Sequence, residues 1–143
     1  MKKLKLPVLI LTILSIPFLW SCEKDEIGCL PYEGEIFPAS YKGMVGVSCN
    51  GIVIKVTNTS VNSFYDWGGG REENVISVRI PNETGFEEVF SFPFDETMIG
   101  QRFYFDFREL IQEEYNVCTT EYGQPKRLVY MTNFSLDRCK ADN

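Results

Sequence analysis

Short segments in which apolar and polar residues alternate recur along this chain, and they constrain its fold more than any other feature. The clearest is residues 51–57, where Ile52, Ile54 and Val56 share one face of an extended strand. A side-chain period of two is that of a β-strand, and β-branched and aromatic residues favour it. Further segments with this period are residues 32–36, 75–80, 86–94, 103–108 and 126–136.

Turn-forming residues separate these segments, as in the polar stretches 58–62 and 81–85. One or two helical turns are expected over residues 109–115, but no segment carries the apolar stripe of a long helix. Five or six short strands joined by turns are typical of an all-β barrel or sandwich. We expect a small Greek-key barrel of the OB-like kind, and an immunoglobulin-like β-sandwich is the alternative.

The first 21 residues have the three parts of a secretory signal peptide. Lys2, Lys3 and Lys5 form a positive region, residues 8–20 are mostly apolar, and Ser21 supplies the small residue beside a cleavage point. The apolar run is shorter than the roughly 20 residues of a membrane-spanning helix. Cleavage would leave 143 − 21 = 122 residues, the length of one domain with a modest core.

Leu19-Trp20-Ser21-Cys22 resembles the lipobox of bacterial lipoproteins. Lys24-Asp25-Glu26 is similar to the export signal of small surface lipoproteins of the Bacteroidota type. The resemblance implies that Cys22 carries diacylglycerol and a further acyl chain such as palmitate, and that it begins the mature protein at the outer membrane or cell surface. Two or more chains give stable anchoring, at about 0.8 kcal/mol per buried methylene. Residues 22–31 would be a tether, and residues 32–143 the β domain.

Once Cys22 is assigned to lipid, four of the five cysteines remain. An even number in an exported chain predicts two disulfides, and four cysteines allow three pairings. In an OB-like barrel the loop after the first strand lies near the loop before the last strand. That proximity predicts Cys49–Cys118, which leaves Cys29–Cys139. A zinc site is not expected, because the chain has no histidine and no Cys-x-x-Cys pair.

Enzyme catalysis is not expected either, and no catalytic residue, metal or cofactor is predicted. Without histidine, the commonest general base is missing. Acidic neighbours in a strand point to opposite faces and do not converge on one substrate. The spaced acidic loop that calcium requires is also absent from the sequence. The acidic pairs are Glu72-Glu73, Glu87-Glu88, Asp95-Glu96 and Glu113-Glu114.

The charge of the chain argues against nucleic acid as a partner. The leader holds three lysines and no acid, so the mature charge would be (14 − 3) − 20 = −9. Such a chain repels phosphate backbones. The acidic residues keep the protein soluble, and they would also suit a basic protein partner.

A candidate ligand surface lies in the aromatic, glycine-rich stretch 64–71. Tyr65, Asp66, Trp67 and Arg71 surround a run of three glycines. An exposed aromatic ring beside polar groups can stack on a sugar or anchor a protein partner. The alternative is that Trp67 folds back and covers the core.

These features predict a membrane-anchored lipoprotein with a non-catalytic binding or accessory role at the cell envelope, for a protein or glycan ligand. Two more specific functions are compatible with them. One is inhibition of a cationic host enzyme such as lysozyme, which the charge suits. The other is a glycan-binding module that uses the loop of Tyr65 and Trp67.

Overall fold

The computed structural model describes residues 28–41, 43–68, 70–81, 85–90, 94–118 and 123–139. The expected leader, Cys22 and residues 23–27 of the expected tether lie outside the described residues. Residues 29–31 are already part of the folded domain, since Cys29 is bonded to Cys139 and Leu30 is buried. Within these ranges, no helix has the length and apolar character needed to cross a bilayer.

The described residues are nearly all β-structure. One α-helical turn, α1 (Phe86–Val89), and two 3₁₀ turns, Glu96–Met98 and Gln112–Glu114, lie between the strands. The strands in chain order are β1 (Tyr32–Ile36), β2 (Ser40–Tyr41), β3 (Met44–Val45), β4 (Val47–Ser48), β5 (Gly51–Val56), β6 (Phe64–Asp66), β7 (Arg71–Glu73), β8 (Val75–Arg79), β9 (Arg102–Glu109) and β10 (Arg127–Ser135).

Five of these strands close into a ring in the order β1–β9–β10–β8–β5, with β5 pairing back onto β1. The β8–β10 pair is parallel, and the other pairs of the ring are antiparallel. Because β1 is hydrogen-bonded on both sides, the ring strands form one closed sheet rather than two facing sheets. The prediction of a small Greek-key barrel is therefore confirmed, and the sandwich is not the arrangement formed.

Gly34 lies where the ring closes. It pairs with Val56 of β5 on one side and with Phe103 of β9 on the other. A Cβ atom at this position would lie 2.6 Å from Ile54 and 2.8 Å from Phe105, closer than atoms can pack. A glycine is therefore required for these side chains to fill the interior beside β1.

The barrel interior is filled by branched aliphatic side chains and by phenylalanine. Phe86 and Phe90 from the α1 segment stack on each other with ring centroids 4.6 Å apart, and each ring centroid lies 5.3 Å from that of Phe103 of β9. The core residues are Ile36, Val47, Ile52, Ile54, Val56, Val61, Ile76, Val78, Phe86, Phe90, Phe94, Phe103, Phe105, Val129 and Met131.

The expectation of a strand over residues 86–94 is wrong at its beginning, where Phe86–Val89 is helical. Gly85 precedes it with φ 69°, a left-handed conformation that turns the chain into the helix. A spacing of four residues places Phe86 and Phe90 on one face of a helix as readily as on one face of a strand. The spacing alone therefore does not distinguish the two, and burial of both rings in the barrel favours the helical turn.

A second, smaller cluster covers part of the outer surface of the barrel. Val53 and Val75 belong to the outward-facing registers of β5 and β8, yet both are fully buried. The chain that follows β1 supplies Phe37 and Ala39, and β6 supplies Tyr65, and these side chains pack over the two valines. This face of β5 and β8 is consequently covered by the protein itself.

Both predicted disulfides are present. Cys49 is bonded to Cys118, and Cys29 to Cys139. Cys49 lies between β4 and β5, in the connection that follows β1, and Cys118 lies in the loop before β10. The Cys49–Cys118 bond therefore joins the two loops whose proximity predicts it. Hydrogen bonds from the amide of Asn116 to Asn50 Oδ1 at 3.0 Å, and from Asn50 Nδ2 to Gln124 Oε1 at 2.8 Å, fasten the same two loops together.

Candidate functional site

The predicted ligand stretch forms a β-hairpin of β6 and β7, here called the Trp67 hairpin (residues 64–73 without Gly69). Asp66 pairs with Arg71, and the amide of Trp67 donates to the carbonyl of Gly70 at 3.2 Å. Gly68 and Gly70 have φ values of 75° and 145°, which residues with a side chain rarely adopt. The glycines therefore allow the tight reversal that places Trp67 at the tip.

Trp67 is held by a contact with the smaller cluster and is otherwise partly open to solvent. The rings of Trp67 and Phe37 meet in a T-shaped contact, with centroids 5.9 Å apart and planes at 87°. Phe37 is itself buried in the smaller cluster, whereas Trp67 remains 46% exposed. The interpretation in which Trp67 covers the core accounts for the contact with Phe37. The exposed part of the residue is accessible to a ligand.

Tyr65 does not share this surface. It is buried, and its ring meets Phe37 edge-on at 5.9 Å. Burial also raises the pKa of its phenol. Both rings contact Phe37 and so lie on the same side of the hairpin, but Trp67, beyond the end of β6 at Asp66, remains exposed whereas Tyr65 does not. The predicted ligand role of Tyr65 therefore gives way to a packing role in the structure.

Asp66 and Arg71 pair across the hairpin beside its tip, and both are exposed. Arg71 Nε donates to Glu73 Oε1 at 2.8 Å, and its guanidinium carbon lies 3.5 Å from the centre of the Phe64 ring. The guanidinium has five N–H groups, so donors remain for a ligand. Asp66 and Arg71 therefore lie with Phe64 on one face of the hairpin, whereas the rings of Tyr65 and Trp67 both meet Phe37.

A pocket of about 190 Å³ opens beside α1, at the neighbouring ends of β5 and β8. Its walls are mostly apolar, and its polar lining comes from Arg79, Glu87 and Asn116. Sequence reasoning missed this site, because the residues around it are distributed over β4, β5, β8, the α1 region and a distant loop. The one local signal is Arg79, a cation at the end of a mostly apolar strand. The apolar lining is Val47, Ile52, Val78, Ile80, Phe86 and Phe94.

Arg79 also belongs to a network that holds the loop before β10. Its guanidinium donates to the carbonyl of Glu114 and to Asn116 Oδ1, the latter at 2.7 Å. Arg108 binds both carboxylate oxygens of Glu114, at 2.6 and 2.8 Å, and the amide of Ile111 donates to the same carboxylate. The Arg108 hydrogen bonds, followed by that from Ile111, lower the pKa of Glu114 to about 2. Glu114 is therefore ionised at neutral pH, and both of its carboxylate oxygens are hydrogen-bonded to Arg108.

The acidic pairs do not assemble into a compact cluster in the described ranges. Glu87, Glu88, Asp95 and Glu96 are exposed, and Glu72 forms an ion pair with Lys55. No group of three histidine, cysteine, aspartate or glutamate side chains in the described part of the chain is placed to hold a metal ion.

Comparison of the chain with protein-family models, with curated proteins and with solved structures found no match. The support for a function is therefore the chemistry of the described residues.

Proposed function

We propose that this chain is a lipid-anchored binding protein of the cell envelope, with a non-catalytic role, and that the Trp67 hairpin is its contact surface. The observation that carries the proposal is the half-exposed Trp67 side chain, held by a T-shaped contact with buried Phe37. A large aromatic side chain held in place before binding loses little conformational entropy when a ligand arrives.

A sugar ring is the ligand that this surface suits best. The exposed indole offers apolar surface for stacking, while the polar groups of the same hairpin can bind hydroxyl groups. Asp66 supplies carboxylate acceptors, and Arg71 supplies the guanidinium donors that Glu73 does not use. A protein ligand would use the same ring as a buried anchor.

The effect of Trp67→Ala on glycan binding tests the proposal. We expect the variant to bind a glycan identified on an array at least about 30-fold more weakly, since an aromatic anchor of this kind contributes about 2 kcal/mol or more. Trp67→Phe should retain part of the affinity. One of the two tryptophans, Trp20, lies in the expected leader, so Trp67 alone would report binding by fluorescence in the mature chain.

Tyr115→Ala is the matched control, because Tyr115 is an aromatic residue that is 49% exposed outside the hairpin. Its loss should leave glycan affinity unchanged. Equal affinities of the parent and Trp67→Ala would reject the hairpin as the contact surface. Salt-sensitive binding to a cationic enzyme such as lysozyme, unaffected by Trp67→Ala, would instead favour the inhibitor function, for which residues 80–101 supply five acids and no base.

The lipid anchor rests on the resemblance of residues 19–22 to a lipobox, and mass spectrometry tests it. The protein purified from its membrane fraction should have the mass of residues 22–143 plus acyl chains. Cys22→Ser should abolish the acyl mass and release the protein from the membrane, since the attached chains supply the affinity. A mature protein that begins elsewhere, or that carries no acyl mass, would contradict the anchor without bearing on the hairpin.

A further inference from the structure

Arg79 differs from the other half-buried cations of the described residues in having no carboxylate at ion-pair distance. The other two, Lys55 and Arg127, pair with Glu72 and Glu109. Arg79 instead donates to two neutral oxygens, which leaves part of its five-donor guanidinium unused among the described residues. The acid of its network, Glu114, interacts electrostatically with Arg79 but is bound by Arg108 through both oxygens. A half-buried cation of this kind favours an anionic partner.

The pocket next to Arg79 has the dimensions of one small apolar group. Its volume is about 190 Å³, whereas an apolar cavity of about 150 Å³ is large enough to hold benzene. Phe86 and Phe94 provide aromatic walls, and Ile52, Val78 and Ile80 provide aliphatic ones. Hydrophobic transfer into such a space favours a phenyl or branched alkyl group.

We propose that this pocket binds a small organic carboxylate with a compact apolar body, with the carboxylate on Arg79 and the body between α1 and the barrel. Guanidinium and carboxylate match in geometry, and their hydrogen bonds are stronger than those between neutral groups. The site shares no residue with the Trp67 hairpin, so the proposal stands or falls independently of the glycan-binding function.

Glu87 lines the same pocket, and its exposed side chain bears on the selectivity. Its negative charge opposes an anionic ligand and would favour a cationic one. Since Glu87 is exposed, solvent weakens its effect more than it weakens that of half-buried Arg79. The expected order of affinity is therefore carboxylate first, neutral analogue second and amine last.

Three probes test this order, because they share a phenyl group and differ in the charge of the attached polar group. They are phenylacetate, 2-phenylethanol and 2-phenylethylamine. Titrations of the whole chain in mild detergent, followed by ligand-detected NMR, should give phenylacetate a Kd of about 1–5 mM, as expected for ten non-hydrogen atoms. Arg79→Gln should weaken phenylacetate about tenfold or more, with little effect on 2-phenylethanol. Glu87→Gln should strengthen phenylacetate about twofold.

Two further variants separate binding from folding. Arg102→Gln removes an arginine that is 69% exposed and outside the pocket, and phenylacetate affinity should not change. Ile80→Trp fills the pocket while Arg79 remains, and it should abolish binding in a chain that still unfolds cooperatively. The proposal is overturned by equal affinity for the three probes, by preference for the amine, by Arg79→Gln binding phenylacetate as the parent does, or by no saturable binding up to about 10 mM.

Discussion

Replacing both Cys29 and Cys139 with serine is expected to lower the free energy of unfolding by about 4–5 kcal/mol. The bond joins residues 110 positions apart, so it restricts the unfolded chain across almost the whole domain. Domains of this size have about 5–15 kcal/mol of stability in total, so the loss is a large share. Equilibrium unfolding in urea, followed by circular dichroism, measures the change.

The Cys49–Cys118 bond provides the comparison, because it spans 69 positions instead of 110. The entropy of loop closure grows slowly with loop length. Replacing Cys49 and Cys118 with serine should therefore lower the free energy of unfolding by only about 0.4 kcal/mol less than replacing Cys29 and Cys139 does. The ends of the domain also hold each other by a hydrogen bond from the amide of Leu30 to the carbonyl of Arg138, 2.8 Å long. If the Cys29/Cys139 variant unfolds at the urea concentration of the parent, the bond does not constrain the unfolded chain as proposed.

Phe103→Ala is expected to destabilise the protein by about 3–5 kcal/mol. Phe103 is fully buried, and its ring contacts Phe86 and Phe90 at 5.3 Å between centroids and Phe134 at 5.8 Å. The substitution removes a large apolar side chain and leaves a cavity where α1 meets the barrel. It also removes several edge-to-face aromatic contacts, each worth about 0.5–1.5 kcal/mol beyond its buried area. The shift of the urea midpoint at constant slope reports the loss.

Phe107→Ala is the control on the same strand. Phe107 is only half-buried, stacks on Tyr32 at 4.4 Å between centroids, and has the guanidinium of Arg127 5.0 Å away. Its replacement should cost about 1–2 kcal/mol, since neighbouring side chains and water can occupy the space. A loss at Phe103 no larger than that at Phe107 would show that Phe103 is not the centre of the barrel core.

Local alternation was a reliable guide where one face of a strand meets the core and the other meets water. The bounds of β1 and β9 agree with the alternating segments to within one residue. The same pattern was misleading at Phe86 and Phe90, where a spacing of four suits both a strand and a helix. The same alternation in β5 puts Val53 on the outer face of the barrel, where the chain after β1 nevertheless buries it.

The candidate surface was predictable in part. The glycine run and the aromatic residues marked the hairpin, and Asp66, Trp67 and Arg71 are all exposed on it. Tyr65 was assigned to the same surface because sequence cannot distinguish a ring that packs on Phe37 from one that faces a ligand. The pocket at Arg79 had no comparable marker in the sequence. Its lining comes from five separate segments, and no short stretch of sequence indicates that these segments meet.

By itself, the sequence determined the features that depend on nearby residues or on counting. These are the strand period, the turns, the even number of cysteines that remain after Cys22, and the all-β class. Only the tertiary structure decided that β1 pairs with both β5 and β9, that Val53 is buried, and that Arg79 lies beside a pocket. These features depend on contacts between residues far apart in the chain, whose energies come from burial and close packing after the barrel has closed.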